Sequence, residues 1–288
     1  MLMTAIDGGT LSYDVSGAGP PIVFVAGLGE YGTYWMAQVA AFSTAYQVVT
    51  FDHGGVGASE GQPPYKVERW AADTLRLIDH LGLDRVQLVG HSSGGAIAQV
   101  LAADHSDRVA SLVLGASWAR LDTRLRKLFV FRKRALYEQV GFDWRSAFRN
   151  TPQEIAAARI DAVLAYDTGE RLRSIHNPTL LIAAADDLLV PWQLSELIVE
   201  DIEHAHLVKL DRGGHHFPQT QVETYNTLLL EFFRAHSGRG APGARLGKSA
   251  ALNQTQAPAA PGDAGQAVRE NISVCSGHRH SLSDPSAK

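Results

Sequence analysis

A candidate nucleophile is Ser92, in the segment Gly90-His91-Ser92-Ser93-Gly94, which fits the pattern G-x-S-x-G. The apolar run 86–89 precedes it, and a run with helical spacing follows it as far as Leu101. This order of strand, sharp turn and helix presents a serine hydroxyl for attack on a carbonyl carbon. Glycines on both sides of such a strained turn let strand and helix pack closely. Ser92 is therefore the predicted catalytic nucleophile.

The same pattern occurs a second time, in Gly57-Ala58-Ser59-Glu60-Gly61. Ser59 follows a glycine-rich loop and precedes Gln62-Pro63-Pro64, a segment typical of a turn and not of a helix start. The pattern alone does not separate the two serines, but its surroundings do. We interpret Ser59 as a loop residue.

Two backbone amides are expected to bind the negative charge that develops on the substrate oxygen. The amide of Ser93 lies at the predicted start of a helix, where amides lack helical partners and the helix dipole favours negative charge. A second donor is expected in Ala26-Gly27-Leu28-Gly29, directly after the apolar run 22–25. We assign this donor to Leu28, with a plain glycine turn as the alternative.

An acidic residue that could orient a histidine follows the predicted strand 179–183. Two aspartates, Asp186 and Asp187, precede Pro191, a residue favoured in the first turn of a helix. Asp187, four residues before the proline, is the predicted acid. Asp186 remains the alternative.

A histidine that could act as a general base lies in Gly213-Gly214-His215-His216-Phe217-Pro218, after the strand-like run 207–210. Adjacent side chains in an irregular loop point in different directions, so one of the two histidines faces the serine. We predict His215, with His216 as the alternative. The other histidines, including His91 beside the nucleophile, are interpreted as structural or solvated.

Short apolar runs alternate with helical patterns along residues 1–236, which predicts an α/β fold with a mostly parallel sheet flanked by helices. Ser92, Asp187 and His215 each follow a predicted strand, so all three are expected at one rim of the sheet. Together they would form a Ser-His-Asp triad. Their order along the chain is that of α/β-hydrolases.

Three parts are expected. Residues 1–118 and 174–236 form the α/β core, while residues 119–173 lack strand signals and form a small helical cap. In residues 237–288, 28 of 52 positions are Ala, Gly, Ser or Pro and none is aromatic. Such a segment buries too little apolar surface to offset its ordering entropy. We predict a disordered C-terminal tail.

The sequence resembles the α/β-hydrolase family from about residue 11 to residue 236, and within it the aminoacrylate hydrolases of bacterial pyrimidine utilisation. The segments that carry this resemblance are Gly27-Leu28-Gly29, Tyr34-Trp35, Tyr46-Gln47-Val48-Val49, Arg132 through Tyr137, Asp186 through Pro191, Gly213-Gly214-His215 and Tyr225-Asn226. In the family pattern, the spacing from the histidine to the aromatic-Asn pair implies His215 as the base. The resemblance also implies aminoacrylate hydrolysis to malonate semialdehyde and ammonia as an alternative activity.

Three departures from the family pattern bear on the site. Gly54 stands where the family usually has arginine, so we expect a looser loop there. The cap between Trp144 and Ile155 is shorter than in the family, so the pocket wall on that side is expected to differ. The subfamily does not always keep a serine at the elbow, and the presence of Ser92 favours ordinary serine-hydrolase chemistry.

The substrate pocket is expected to involve aromatic and basic side chains. Trp35, Trp118 and Trp192 follow predicted strand ends or the oxyanion loop and are candidate substrate-binding residues, with core packing as the alternative. The cap segment 120–134 carries seven Arg or Lys residues. We favour a solvated basic face, with an entrance that attracts a small carboxylate as the alternative.

Composition limits the partners. The net charge of −4 argues against nucleic acid, which needs a concentrated positive face. The single cysteine, Cys275, excludes an internal disulfide framework and a multi-cysteine metal site. The apolar run Ile22–Ala26 is too short for a membrane span or a signal segment. We expect a cytoplasmic protein without membrane contact, with a homodimer as one alternative assembly.

The favoured function is a serine hydrolase that needs no cofactor and no metal and cleaves a small ester, amide or carbamate-like substrate through an acyl-enzyme. Aminoacrylate hydrolysis in uracil degradation is the alternative enzymatic activity. A catalytically silent member of the fold that only binds a small molecule is the alternative from another functional class.

Overall fold

The computed structural model describes residues 1–138, 148 and 151–236, together with the backbone of residues 272–275. Its strands are β1 Leu2–Ile6, β2 Gly9–Ser16, β3 Pro21–Val25, β4 Gln47–Phe51, β5 Val86–His91, β6 Val109–Gly115, β7 Thr179–Ala184, β8 Ala205–Leu210 and β9 Ile272–Cys275. Its α-helices are α1 Met36–Phe42, α2 Val67–His80, α3 Ser93–Asp104, α4 Thr123–Tyr137, α5 Gln153–Ala165, α6 Gln193–Asp201, α7 Phe217–Thr220 and α8 Val222–His236.

The strands form one sheet in the order β1-β2-β4-β3-β5-β6-β7-β8-β9. The six strands from β4 to β8 in this order run parallel to one another, and β1, β2 and β9 join the sheet antiparallel. Parallel neighbours require crossover connections, which the helices supply. The predicted α/β class, with a mostly parallel sheet flanked by helices, is confirmed.

The central strands are buried along nearly their whole length because helices cover both faces of the sheet. Every residue of β5 is buried, as is nearly all of β3 and β6. Helix α3 packs against both β5 and α2, and ten of its residues are buried. The nucleophile segment therefore lies between two of the most deeply buried elements of the described chain.

Helices α4 and α5 lie between β6 and β7 in the sequence and pack against each other. The side chain of Asp122 caps α4 by accepting a hydrogen bond from the amide of Leu125 at 2.6 Å. These helices fall within the range expected for the cap, residues 119–173. Most of the shortened stretch from Trp144 to Ile155 lies outside the described residues.

Four residues of the segment expected to be a disordered tail form a strand. Residues 272–275 form β9, in which Ile272 is opposite Leu210 and Cys275 is opposite Leu207 of β8. A strand at the edge of a sheet presents unpaired backbone groups, and the β-prone segment Ile-Ser-Val-Cys pairs with them. The rest of the tail lies outside the described residues.

Within the described ranges, none of the helices combines the length and the apolar character needed to cross a membrane.

Candidate active site

Ser92 occupies a strained turn between β5 and α3. Its backbone has φ of 54° and ψ of −123°, a region that residues other than glycine rarely adopt. A Cβ atom on Gly90 would collide with the backbone of Gly94, and one on Gly94 would collide with the carbonyl oxygen of Val25. The two glycines thus allow strand and helix to approach closely while the serine hydroxyl projects from the turn.

The structure brings Ser92, His215 and Asp187 together. Nε2 of His215 lies 3.0 Å from Oγ of Ser92, and Nδ1 of His215 lies 2.8 Å from Oδ2 of Asp187. An ionised carboxylate can only accept, so Nδ1–H donates to Asp187 and Nε2 is left to accept the serine proton. This chain of hydrogen bonds has the arrangement of a nucleophile, a base and an orienting acid.

The two aspartates have different roles. Oδ1 of Asp187 accepts hydrogen bonds from the amides of Leu189 and Val190 at 2.8 and 2.9 Å, and its side chain is shielded from solvent. Asp186 is exposed and accepts from the amides of Gly213 and Gly214 at 3.2 and 2.8 Å. Asp187 therefore faces the histidine ring, whereas Asp186 holds the loop that carries it.

His216 lines the same cavity as Ser92 and contacts the loop that follows β3. Its Nδ1 lies 3.4 Å from Oε1 of Glu30 and 3.4 Å from the hydroxyl of Tyr34. The hydrogen bond to Glu30 raises the pKa of His216, and this effect outweighs partial burial. The protonated form of His216 thus persists to higher pH than that of a free histidine.

His91 is fully buried beneath the triad. Its ring stacks on Tyr34 with centroids 5.3 Å apart and lies 5.0 Å from the ring of His215. Burial lowers the pKa of His91, and the neighbouring histidines lower it further. A neutral imidazole at this position packs the base of the site, in line with the structural interpretation.

The two expected oxyanion donors flank the nucleophile. Ser93 is the first residue of α3, so its amide lies at the helix N-terminus. Leu28 lines the same cavity as Ser92 and His215. A Cβ atom on Gly27 would lie 3.2 Å from Cβ of Ser92, which shows how closely the loop after β3 approaches the serine.

The cavity in front of Ser92 has a volume of about 610 Å³. It combines polar groups with apolar walls from the loop after β3 and from the cap helix α4. Its lining residues are Leu28, Gly29, Glu30, Tyr31, Thr33, Tyr34, Ser92, Phe129, Arg132, Leu189, His215, His216 and Gln219. A volume of this size suits a small organic substrate.

The three tryptophans expected in the pocket are not among the residues that line it. Trp35 and Trp118 have no exposed surface and lie in the core. Trp35 packs on Phe24, with ring centroids 4.8 Å apart, and Trp118 lies behind Phe129 at 5.8 Å. Trp192 is partly exposed and packs under the ammonium group of Lys209 at 4.1 Å. Large aromatic rings gain most from full burial, so core packing explains Trp35 and Trp118, while Trp192 packs against the core from a partly exposed position.

Arg132 differs from the rest of the basic segment in the cap. It is 9% exposed and lines the cavity, whereas Lys133 pairs with Asp161 at the surface at 2.6 Å. Burial lowers the pKa of Arg132, and the carboxylate of Glu30 partly offsets this effect. The interpretation of a solvated basic face is therefore wrong for Arg132, which brings a cation to the site.

The second G-x-S-x-G match is structural. Oγ of Ser59 donates to the carbonyl of Asp52 at 2.7 Å and accepts from the amide of Ser12 at 2.8 Å. The bond to Asp52 closes the loop 52–59, and the bond from Ser12 ties this loop to β2. This geometry agrees with the interpretation of Ser59 as a loop residue.

The same loop contacts an arginine of helix α5 at Gly54. Arg159 of α5 donates from Nη1 to the carbonyl of Gly54 at 3.1 Å and lies over the ring of Trp70 at 4.3 Å. Burial lowers the pKa of Arg159 to about 10. The backbone at Gly54 thus has a direct hydrogen bond to helix α5, and the expectation of a looser loop stays a prediction.

One group of side chains has the donor types of a metal site. Glu30, His91 and His216 have ligand-type atoms within 4.8 Å of one another, the one such group among the described residues. Both oxygens of Glu30 are already engaged, Oε2 with the amide of Gly27 at 2.6 Å and Oε1 with His216. A metal ion would have to break this ion pair.

Sequence reasoning missed Glu30 and did not separate Arg132 from the other basic residues of the segment 120–134. The interval of three residues from Gly27 to Glu30 is typical of a side chain that closes a turn, and it was a usable signal. Nothing in the segment around Arg132 distinguishes it from its basic neighbours. Its burial depends on how the cap lies over the sheet.

The comparisons with known proteins agree with this geometry. Residues 20–147 match the family model of the alpha/beta hydrolase fold. The RutD protein of Caulobacter vibrioides, named as a carbamate hydrolase, is 34% identical over 264 residues, covering 81% of this chain and 97% of that protein. A RutD protein of Azorhizobium caulinodans is 35% identical, covering 77% of this chain and 94% of that protein.

Solved structures show the same likeness. An enol-lactonase from Burkholderia xenovorans superposes with a TM-score of 0.74 at 26% identity, covering 81% of this chain and all of that one (100%). A hydrolase from Pseudomonas aeruginosa superposes with a TM-score of 0.73 at 27% identity, covering 81% of this chain and 97% of that one. The fold and the relatives that span most of the chain show that the protein belongs to the α/β-hydrolase family and is a RutD-like hydrolase.

Proposed function

We propose that this protein is a serine hydrolase that cleaves a small ester, amide or carbamate-like substrate through an acyl-enzyme, without a cofactor. The observation that carries the proposal is the continuous hydrogen-bonded chain from Ser92 Oγ through His215 to Asp187. A serine that is hydrogen-bonded to a neutral imidazole can lose its proton during attack. The cavity in front of it has room for a small substrate.

Acylation begins when Oγ of Ser92 attacks the substrate carbonyl carbon and its proton passes to Nε2 of His215. The amides of Leu28 and Ser93 stabilise the resulting oxyanion. When the tetrahedral intermediate collapses, the bond to the leaving group breaks and His215 protonates that group. Asp187 keeps the imidazole oriented and stabilises its protonated form.

Deacylation repeats these steps with water as the nucleophile. His215 takes a proton from water as the water oxygen attacks the acyl carbon. When the second tetrahedral intermediate collapses, the bond between Oγ of Ser92 and the acyl carbon breaks, and the protonated His215 gives its proton to Oγ. The products are the free acid and the leaving alcohol or amine. All proton transfers pass through His215, so no cofactor is needed.

A fluorophosphonate probe and p-nitrophenyl acetate test the proposal. We expect the wild-type protein to be labelled, and we expect Ser92→Ala to abolish labelling and lower turnover by about a thousandfold or more. The matched control is Ser59→Ala, the serine of the second G-x-S-x-G match, which should still be labelled. If the wild type is neither labelled nor active, a binding protein with a silent triad becomes the better interpretation.

A second candidate function is hydrolysis of a C–N bond in a small carboxylate-bearing substrate, such as aminoacrylate. It is favoured by the relatives named as carbamate hydrolases and by the cation of Arg132 in the cavity wall. Release of ammonia from freshly generated aminoacrylate measures this activity. Ester cleavage without ammonia release would reject this second function and support the first.

A further inference from the structure

Glu30 closes the turn that carries the expected oxyanion donor. Oε2 of Glu30 accepts a hydrogen bond from the amide of Gly27 at 2.6 Å, and the amide of Glu30 donates to the carbonyl of Gly27 at 3.2 Å. A Cβ atom on Gly27 would lie 2.7 Å from this carboxylate oxygen and 3.2 Å from Cβ of Ser92. The side chain of Glu30 therefore holds the turn against the nucleophile, with Leu28 inside it.

The other oxygen of Glu30 reaches the histidine loop. Oε1 lies 3.4 Å from Nδ1 of His216, the residue that follows the predicted base. The side chain of Glu30 is 14% exposed and that of His216 is 53% exposed, so the pair lies at the cavity wall. One carboxylate thus connects the oxyanion loop with the loop that carries His215.

This arrangement raises an electrostatic problem. A carboxylate beside an oxyanion site repels the negative charge that develops there, and the repulsion is strong where water is excluded. A protonated His216 offsets the charge of Glu30. Arg132 of α4 brings a second positive charge to the same cavity wall.

We propose that Glu30 is a positioning residue that fixes the Leu28 amide in the oxyanion loop, and that His216 neutralises Glu30 so that the carboxylate does not oppose the reaction. The inference rests on the proposed serine chemistry at Ser92. It assigns distinct roles to the two oxygens of Glu30: Oε2 sets geometry, and Oε1 balances charge.

The charged and titratable groups around the pair come from several elements. Glu30 and, less strongly, Asp187 raise the pKa of His216, while partial burial and Arg132 lower it, with a net upward shift. Tyr34, His91 and His215 also face the pair. His91 stays neutral because it is buried. When the pH rises above the raised pKa of His216, the ring loses its positive charge and no longer balances the charge of Glu30.

Four variants separate geometry from charge: Glu30→Ala, Glu30→Gln, His216→Gln and the double variant Glu30→Gln/His216→Gln. Turnover of p-nitrophenyl acetate gives kcat and KM. Glu30→Ala removes the turn closure, and we expect kcat to fall about tenfold to a hundredfold with KM within about twofold, since misplacing a catalytic group by a fraction of an ångström acts on the transition state. Glu30→Gln keeps an acceptor for Gly27, so its kcat should exceed that of Glu30→Ala.

The double-mutant cycle isolates the charge balance. His216→Gln leaves the charge of Glu30 without its partner, and we expect kcat to fall about tenfold. Adding Glu30→Gln removes that charge, so the double variant should be faster than His216→Gln alone. Additive losses in the cycle, or a wild-type kcat in Glu30→Ala, would overturn the inference. Glu200→Gln, an exposed glutamate on α6, is the matched control.

The pH profile gives an independent readout. In the wild type, kcat should decline as the pH rises through the raised pKa of His216, because the neutral ring no longer balances Glu30. Glu30→Gln should lose this decline, which a purely structural role of Glu30 would leave in place. Fluorophosphonate labelling of Ser92 in the wild type is measured in parallel. If the wild type is not labelled, the serine mechanism itself is rejected. If it is labelled but Glu30→Gln has the same pH profile as the wild type, only the role of Glu30 is rejected.

Discussion

Nδ1 of His215 lies 2.8 Å from the carboxylate of Asp187, whose side chain has no exposed surface. A buried carboxylate in this position fixes the tautomer that leaves Nε2 free to accept a proton from Ser92. The adjacent Asp186 is exposed and accepts hydrogen bonds from backbone amides of the histidine loop. Two neighbouring residues of the same type thus have opposite surroundings.

We expect Asp187→Asn to lower kcat by about three to four orders of magnitude, because an amide favours the wrong tautomer of the imidazole. Asp186→Asn should lower kcat by about tenfold or less, since its oxygen still accepts one of the two loop hydrogen bonds. Steady-state kinetics on p-nitrophenyl acetate compares the two variants directly. Equal losses would mean that the orienting contact between Asp187 and His215 contributes nothing specific.

The arrangement of the triad could be inferred from the sequence because local patterns determine it. The strand-turn-helix order around Ser92 and the loops that follow β7 and β8 are visible as short apolar runs followed by glycine, proline or polar residues. The parallel sheet then brings these loops to one rim. Within the sequence, only the spacing of four residues to Pro191 favours Asp187 over Asp186.

The edge strands were not visible in the same way. Strand β1 is short and pairs on one side only, so its residues lack the continuous apolar character of a central strand. The dipeptide Asp7-Gly8, with φ of 73° at Gly8, was the available hairpin signal. Strand β9 lies in a segment whose composition predicts disorder, and its pairing with the open edge of β8 is a long-range event.

The cavity wall could not be predicted because it depends on the position of the cap over the sheet. Arg132 lines the cavity while its neighbour Lys133 faces Asp161 at the surface. Similarly, Trp35 and Trp118 follow strand ends, yet their rings turn into the core. A position at the end of a strand fixes where the backbone lies but not which way a large side chain packs.

Arg132 is expected to select substrates that carry a carboxylate. Its guanidinium lies in the wall of the cavity that contains Ser92, and charged pairs in a buried setting are stronger than surface pairs. For Arg132→Gln we expect KM for an ester of a dicarboxylic acid monoanion to rise about tenfold, with KM for p-nitrophenyl acetate changed by less than about threefold.

The control is Lys133→Gln, which removes the adjacent positive charge from a surface ion pair with Asp161. It should leave both KM values close to those of the wild type, because surface charges act weakly across solvent. Equal effects of the two variants would show that general electrostatic attraction, and not contact with Arg132, sets the preference.

Arg159 is expected to be important for stability. Its guanidinium is buried, donates to the carbonyl of Gly54 and lies on the ring of Trp70. Arg159→Met keeps most of the side-chain volume but leaves the Gly54 carbonyl without this donor, so we expect a loss of about 2–3 kcal/mol in the free energy of unfolding. Arg171→Met breaks an exposed ion pair with Asp104 and should cost less than about 1 kcal/mol. Chemical denaturation measures both, and a similar loss in the two variants would contradict the role of Arg159.

Asp73 makes the stability of the fold depend on pH. It lies on α2 and is 4% exposed, and burial raises the pKa of its carboxyl from 3.8 to about 6, although Arg69 and Arg76 lower it. The unfolded chain releases this proton near pH 3.8, whereas the folded chain releases it only near pH 6. Between these values the folded state binds more protons, so the free energy of unfolding falls as the pH rises through this window.

Asp73→Asn has a neutral side chain at every pH, so its free energy of unfolding should not fall as the pH rises through this window. At pH 7 we expect the variant to be more stable than the wild type by about 1–2 kcal/mol, which corresponds to a rise in Tm of roughly 3–6 °C. The advantage should shrink as the pH is lowered toward 4, because the wild-type carboxyl is then protonated in the folded state. Thermal unfolding from pH 4 to pH 8 measures this dependence, with the exposed Asp84→Asn as the control. If the difference in Tm between Asp73→Asn and the wild type does not change with pH, the effect comes from packing, because only a titrating carboxyl would make this difference depend on pH.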